Sequence, residues 1–126
     1  MIKLYGYWRS SAAYRVRVAL NLKELAFDNI SVHLVKDGGQ QHKTEYDQLN
    51  SAHLVPTLID KDVVLNQSLA IIDYLDERYP DVNGSRLSFY PEDIGDKAIV
   101  KALALDIACD VHPLNNLRVL QYLNKT

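Results

Sequence analysis

The order of the apolar segments in the first 34 residues constrains the fold of this chain more than any other feature. Residues 2–7 form a short, aromatic-rich run, and Ser10 and Ser11 can cap the apolar stretch that follows, which ends near residue 23. Residues 27–34 then alternate at the period of a strand. Two strands separated by a helical crossover pair in parallel. The segment therefore predicts a βαβ unit.

The segments after residue 54 predict a hairpin and a second long helix. Residues 55–59 and 63–65 form two short apolar runs around a polar turn, which is typical of a hairpin added to the same sheet. From Gln67 onward apolar residues recur at helical spacing, and Pro80 ends the run. The acidic residues of this helix are expected to face solvent: Asp73, Asp76 and Glu77.

The remaining segments predict a loop, a linker and a second, helical region. Residues 36–41 are rich in glycine and glutamine and predict a loop, and residues 43–49 predict a short helix. Asn, Gly and Ser in residues 83–90 indicate a linker. Residues 1–82 are therefore expected to form an α/β domain, and residues 91–126 the first part of an all-helical one.

The helical region carries an apolar stripe that continues almost to the last residue of the sequence. Its final residues, 124–126, follow the stripe without a further helix to cover it, and Pro113 is expected to kink or break the helix. An uncovered apolar face of this kind usually marks a missing partner or a dimer surface. We therefore expect the sequence to be a truncated form of something longer.

Composition excludes several classes of function. The net charge of −2 leaves no basic field for a nucleic-acid backbone, and no apolar run reaches the roughly 18 residues that a membrane span needs. The single cysteine, Cys109, excludes an internal disulfide and redox chemistry based on a cysteine pair, which favours a cytoplasmic location. The four histidines lack the spacing of a metal site, so no metal is expected.

The loop after the first predicted strand is the first candidate site. In a βαβ unit this loop leads into a helix N-terminus, where free N–H groups and the helix dipole favour an anion. A hydroxyl of Ser10 or Ser11 could donate to a ligand thiolate or carboxylate there, although either serine could instead be a plain N-cap. Tyr5 and Tyr7 are rival donors, and they could equally be packing residues.

Two further segments present polar groups to an extended ligand. Val55 precedes a proline and a strand, which frees its backbone for pairing with a bound chain. Gln67 and Ser68 begin a helix, so amide, hydroxyl and helix dipole converge on any carboxylate above them, although a plain cap explains them equally well.

Taken in order, these segments resemble the thioredoxin-like half of a glutathione transferase. The broad resemblance is carried by the Arg-Ser-Ser helix start, the Gly-Gly-Gln-Gln loop, Val-Pro-Thr-Leu and Gln-Ser-Leu-Ala-Ile-Ile-Asp-Tyr-Leu. Residues 7–17, 36–41 and 106–117 are more specifically similar to the zeta class, also called maleylacetoacetate isomerase. The resemblance extends over all 126 residues, and family chains continue into several more helices.

The resemblance implies a thioredoxin-like fold and glutathione as the cofactor. It implies that Ser11, assisted by Ser10 and Arg9, holds the glutathione thiolate. Val55 would pair with the cysteinyl unit, Gln67 and Ser68 would bind the γ-glutamyl carboxylate, and Gln41 would reach the glycyl end. The full glutathione-binding set implied is Ser10, Ser11, Ala12, Ala13, Tyr14, Arg15, Gln41, Val55, Gln67, Ser68, His112, Asn116, Leu117 and Arg118.

The implied reaction is the cis–trans isomerisation of maleylacetoacetate to fumarylacetoacetate in tyrosine and phenylalanine breakdown, by addition of the thiolate to the double bond, rotation and elimination. Arg9 and Arg15 are plausible partners for the carboxylates of the substrate, or ordinary surface cations. Family members often carry cysteine where this chain has Ala12, which should alter activity without abolishing it. Glutathione transfer to other small electrophiles and a homodimer are also implied.

Two other functions compete with this expectation. A non-catalytic glutathione-binding scaffold, or an inactive fragment of the enzyme, would bind glutathione without turnover. A glutaredoxin-like reductase fails because Ser10 and Ser11 stand where its cysteines would be.

Overall fold

The structure is a computed structural model, and it describes residues 1–32 and 55–111. Its elements in chain order are β1 (Ile2–Gly6), α1 (Ser11–Leu22), β2 (Phe27–Ser31), β3 (Thr57–Asp60), β4 (Val63–Asn66), α2 (Ser68–Arg78), β5 (Asp81–Val82), β6 (Ser85–Arg86), α3 (Ile94–Leu105) and a π-helical segment (Asp106–Val111). The predicted loop 36–41 and short helix 43–49 lie outside the described residues.

Four strands form one mixed sheet in the order β2-β1-β3-β4. β1 and β2 are parallel, and β3 runs antiparallel to both of its neighbours, β1 and β4. The predicted βαβ unit and the added hairpin are therefore confirmed. β2 ends at Ser31, three residues before the end of the predicted run, although of the residues after it only Val32 is described.

The core lies between this sheet and the two helices that pack on it. Leu4 of β1 and Leu58 of β3 pair across the centre of the sheet and are fully buried. Val16 and Leu20 of α1 and Leu75 of α2 are buried as well, and the two helices contact each other. Burial of each such side chain contributes about 1.5–3 kcal/mol, so these residues hold the helices on the sheet.

One expectation for α2 is wrong. Asp76 does not face solvent, because its carboxylate lies 3.0 Å from the Nζ of Lys23 and its side chain is 9% exposed. The Lys23 side chain is fully buried at the end of α1, and its ammonium group also donates to the carbonyl oxygen of Leu87. The buried cation needs a counter-ion, and this requirement overrides the solvent-facing position that the helical period assigned to Asp76.

The chain divides into two compact units, residues 1–87 and 88–126, and the division falls inside the segment predicted as a linker. A short hairpin that the sequence did not predict, β5–β6, overlaps the start of this linker and begins two residues before it, at Asp81. Its turn residues Asn83 and Gly84 have φ values of 52° and 81°. Positive φ at both central positions is what a type I′ turn requires.

The described part of the second unit is helical. Asp93 caps α3 by accepting a hydrogen bond from the Asp96 N–H at 2.9 Å. Ile99, Leu103 and Ile107, which belong to the predicted apolar stripe, are each more than half exposed. Across the described ranges, 1–32 and 55–111, none of the helices has both the length and the apolar character of a membrane span.

Candidate functional site

Three of the predicted site segments meet at one end of the sheet. In the antiparallel register Tyr5 of β1 faces Thr57, the first residue of β3, and Thr57 faces Asn66, the last residue of β4. The residues just beyond these pairs therefore belong to the same end of the sheet: the loop that leads into α1, the Val55-Pro56 step before β3, and the Gln67-Ser68 start of α2. The topology brings the loop before α1 together with two segments that lie more than 40 residues further along the sequence.

The first segment is the start of α1, where the two serines have different positions. Ser10 is the N-cap: its Oγ accepts a hydrogen bond from the Ala13 N–H at 3.1 Å, and its carbonyl oxygen accepts one from the Tyr14 N–H at 3.0 Å. Ser11 is the first helical residue and is exposed. The N-cap alternative therefore holds for Ser10, whereas the Ser11 hydroxyl lies at the solvent-facing helix start.

A close backbone approach fixes where this helix begins. A Cβ on Gly6, the last residue of β1, would lie only 3.1 Å from the Cβ of Ala13. The absence of a side chain at Gly6 lets the first turn of α1 lie directly against the end of the strand. The loop between them is closed by a hydrogen bond from the Ser10 N–H to the Tyr7 carbonyl oxygen at 2.9 Å.

The aromatic and cationic residues of this loop also form contacts. The Arg9 guanidinium lies 5.1 Å from the centroid of the exposed Trp8 ring, and the Tyr7 and Trp8 rings meet edge to face at 6.0 Å. Tyr7 is 7% exposed, so packing is part of its role. Arg9 is thus a cation held at the exposed helix start, where an anionic ligand would meet it.

The second segment is Val55, whose peptide bond to Pro56 is cis. Val55 is half-buried and Pro56 buried, and β3 begins at the next residue. Because Val55 lies outside the paired register of β3, it is the residue of this segment that could offer its backbone to an extended ligand.

The third segment is the start of α2, where the backbone is strained. Gln67 has a φ of 71°, which is uncommon for a residue other than glycine and costs about 1–3 kcal/mol. The Gln67 side chain makes no capping hydrogen bond to the helix, so the plain-cap alternative does not hold for it. Residues held in this way cluster at ligand sites, and Gln67 is exposed beside the helix start.

A direct contact joins the first and third segments. The Nη1 of Arg15, in the second turn of α1, donates a hydrogen bond to the Oγ of Ser68 at 2.9 Å. Ser68 is 7% exposed and is the first residue of α2. Sequence reasoning missed this pair because 53 positions separate the two residues and no local pattern connects them.

The electrostatics of this end of the sheet favour an anion. Neither α1 nor α2 has an acidic residue in its first turn, so the positive ends of both helix dipoles are left without a carboxylate from their own helix. Arg9 and Arg15 add two cations to the same end. Together, the helix starts offer N–H donors, serine hydroxyls and positive charge, which suit carboxylate and thiolate groups.

The opposite end of α2 is anchored by a buried carboxylate. The hydroxyls of Tyr74 and Tyr79 both donate to Oδ2 of Asp60, at 2.8 and 2.6 Å, and Asp60 is 4% exposed. The hydrogen bond to Asp60, with burial, raises the pKa of Tyr79 to about 12, and burial with the same carboxylate raises the pKa of Tyr74. This network ties the end of α2 to the end of β3.

Several predicted site residues lie outside the described residues: Gln41, His112, Asn116, Leu117 and Arg118. Of the others, Ala12 is half-buried, Ala13 is buried and Tyr14 is exposed, all in the first turns of α1. Within the described ranges no group of three or more histidine, cysteine or acidic residues could hold a metal ion.

The fold and the arrangement of this site are typical of one class of protein, and comparison with known proteins identifies the family. The family model described as "Glutathione S-transferase, N-terminal domain" matches residues 4–85. The chain belongs to the glutathione S-transferase family, and the thioredoxin-like fold expected from the resemblance is confirmed.

The curated relatives and solved structures point to the zeta class within that family. A probable maleylacetoacetate isomerase of Vibrio cholerae is 60% identical over 120 residues, which is 95% of this chain and 54% of the relative. A solved maleylpyruvate isomerase, described as a bacterial glutathione S-transferase in the zeta class, matches with a TM-score of 0.87 at 42% identity, over 98% of this chain and 55% of that one.

A maleylacetoacetate isomerase of Methylobacterium extorquens, solved with bound malonate and glutathione, matches with a TM-score of 0.85 at 43% identity, over 98% of this chain and 55% of that one. The chain therefore spans about half the length of the relatives it matches.

Proposed function

We propose that this chain binds glutathione and serves a zeta-class, glutathione-dependent cis–trans isomerase that converts maleylacetoacetate to fumarylacetoacetate. One observation carries the proposal: two helix starts without acidic residues lie at the same end of the sheet and are joined by the hydrogen bond from Arg15 to Ser68. Glutathione is an extended tripeptide with two carboxylates and a thiol, and this end of the sheet offers donors to such groups.

Each part of the proposed site has a role that fits its geometry. The exposed Ser11 hydroxyl donates to the glutathione sulfur, while Ser10 caps the helix that presents it. Gln67 and Ser68 bind the γ-glutamyl carboxylate at the start of α2. The backbone of Val55, which lies outside the register of β3 with β1 and β4, receives the cysteinyl unit. The proposed binding set also includes Ala12, Ala13, Tyr14, Arg15, Gln41, His112, Asn116, Leu117 and Arg118.

Glutathione, when bound, supplies the thiolate that adds to the conjugated double bond and leaves once rotation has produced the trans alkene. The chain's own residues supply the electrostatics of this reaction. The helix dipole of α1 and the hydrogen bond from Ser11 favour the ionised sulfur, and Arg9 pairs with a substrate carboxylate. The malonate bound in the relative from Methylobacterium extorquens supports a dicarboxylate-like second substrate.

The proposal extends to the organisation of the protein. Residues 1–82 would be the glutathione-binding domain, 83–90 the linker and 91–126 the beginning of the helical domain. A homodimer with the helix after Pro91 at its interface, cytoplasmic location and additional glutathione transferase activity follow from the family resemblance.

A direct assay tests the catalytic part of the proposal. The purified chain is mixed with maleylacetone, a substrate analogue, with and without glutathione, and formation of the trans isomer is followed by absorbance. We expect isomerisation that requires glutathione and is strongly reduced in Ser11→Ala. Glutathione binding without any turnover would instead identify a scaffold or an inactive fragment of the enzyme.

A further inference from the structure

The contact between Arg15 and Ser68 fixes which way the Ser68 hydroxyl can point. A serine hydroxyl has one hydrogen to donate and two lone pairs to accept with, whereas a guanidinium only donates. The 2.9 Å hydrogen bond from Nη1 of Arg15 therefore occupies a lone pair of Ser68 Oγ. The hydroxyl hydrogen cannot point back at the guanidinium and must find an acceptor elsewhere.

No protein group in the described part of the chain accepts that hydrogen. Ser68 is 7% exposed, so an unused donor there would carry a free-energy cost. Ser68 is also the first residue of α2, where the backbone N–H groups of the first turn lack partners within the helix. The hydroxyl hydrogen and these N–H groups thus form a cluster of donors with no acceptor among them.

We propose that Arg15 is a positioning residue, which holds Ser68 Oγ as an acceptor and thereby directs the Ser68 hydroxyl hydrogen toward a ligand carboxylate. This inference rests on the proposed glutathione site, where that carboxylate is the α-carboxylate of the γ-glutamyl unit. Donation from a cation also polarises the hydroxyl and makes it a stronger donor. Within the proposed binding set, Arg15 is therefore a member that acts through Ser68 rather than by touching glutathione.

The chain offers a matched control for Arg15. Arg17 is the next basic residue on the same helix, is also half-buried, and lies with its guanidinium 5.6 Å from the centroid of the Tyr14 ring. It has no hydrogen bond to Ser68 among the described contacts. Arg17→Met removes the same charge and the same amount of side chain from α1 without disturbing the pair.

Calorimetric titration of the 126-residue chain with two ligands tests the inference. One ligand is glutathione, and the other is γ-aminobutyryl-cysteinylglycine, which lacks only the α-carboxylate. The measured quantity is the preference for glutathione, the ratio of the two dissociation constants. We expect Arg15→Met and Ser68→Ala each to reduce this preference about tenfold, since each removes a hydrogen bond that involves a charged group.

The double variant separates positioning from direct contact. If Arg15 acts through Ser68, Arg15→Met adds nothing once Ser68 is alanine, so the double variant matches Ser68→Ala. Arg15→Lys should restore part of the preference, and Arg17→Met should leave it unchanged. Losses that multiply in the double variant would mean that Arg15 binds the ligand itself and would overturn the inference.

The inference can fail separately from the proposed function. A wild-type chain that does not bind glutathione refutes the proposed function and this inference with it. Wild-type binding together with an unchanged preference in Ser68→Ala refutes the inference alone, and this variant decides the question even if Arg15→Met fails to fold. If Arg15 had only a structural role, Arg15→Met would weaken the binding of both ligands equally and leave the preference for glutathione unchanged.

Discussion

Removal of the Asp76 carboxylate should destabilise the first unit more than removal of any solvent-facing acid on α2. The Lys23 side chain is fully buried, and Asp76, at 3.0 Å, is 9% exposed. Asp76→Ala leaves a buried ammonium group without its counter-ion, which costs about 3–5 kcal/mol. In a unit the size of residues 1–87, each kcal/mol lost from the free energy of unfolding lowers Tm by about 4–8 °C, so a drop of at least about 12 °C is expected.

Thermal unfolding followed by far-ultraviolet circular dichroism at neutral pH measures this loss. The matched control is Glu77→Ala, because Glu77 is the next residue of α2 and is exposed. Its variant should stay within about 0.5 kcal/mol of the wild type. The double variant Lys23→Met, Asp76→Leu should recover much of the stability, since it replaces the ion pair with apolar side chains. Equal melting temperatures for Asp76→Ala and Glu77→Ala would refute the reasoning.

Two further predictions concern the site and the far end of α2. Ser11→Ala should lower turnover at least about tenfold while glutathione affinity changes little, because the Ser11 hydrogen bond acts on the reacting sulfur. The isomerase assay measures turnover, and calorimetric titration measures the affinity. Unchanged turnover would move the role to Ser10 or Tyr7. Spectrophotometric titration should find one tyrosine, Tyr79, with a pKa of about 12, which Asp60→Asn returns toward 10. Because the pKa of Tyr79 is raised in the folded state, its contribution to the free energy of unfolding is complete below pH 10 and is lost as the pH rises toward 12. A free energy of unfolding that stays constant between pH 10 and 12 would contradict the raised pKa of Tyr79.

Most of the first unit's fold follows from local sequence patterns. The alternation in β2, the helical spacing after Gln67 and Pro80 as a helix end depend on neighbouring residues, and the structure agrees with them within a few positions. The β5–β6 hairpin was missed although Asn83-Gly84 is a strong turn signal, because its strands are only two residues long and show no period.

The features that sequence could not predict are contacts between distant segments. Lys23 and Asp76 look like ordinary surface charges in their own helices, and only the packing of α1 beside α2 buries them together. The Arg15–Ser68 hydrogen bond likewise depends on how two helix starts meet at one end of the sheet. The three segments of the proposed site could be singled out from the sequence, because each carries a local signal: a serine-capped helix start, a valine before proline, and a glutamine-serine pair that opens a helix.

Calorimetric titration of the purified chain with glutathione tests the central claim most directly. We expect saturable binding of one glutathione per chain. Gln67→Ala and Ser68→Ala should each weaken this binding, and the analogue that lacks the α-carboxylate should bind more weakly than glutathione. No saturable binding by a chain that is folded by circular dichroism would contradict the assignment of this end of the sheet as a glutathione site.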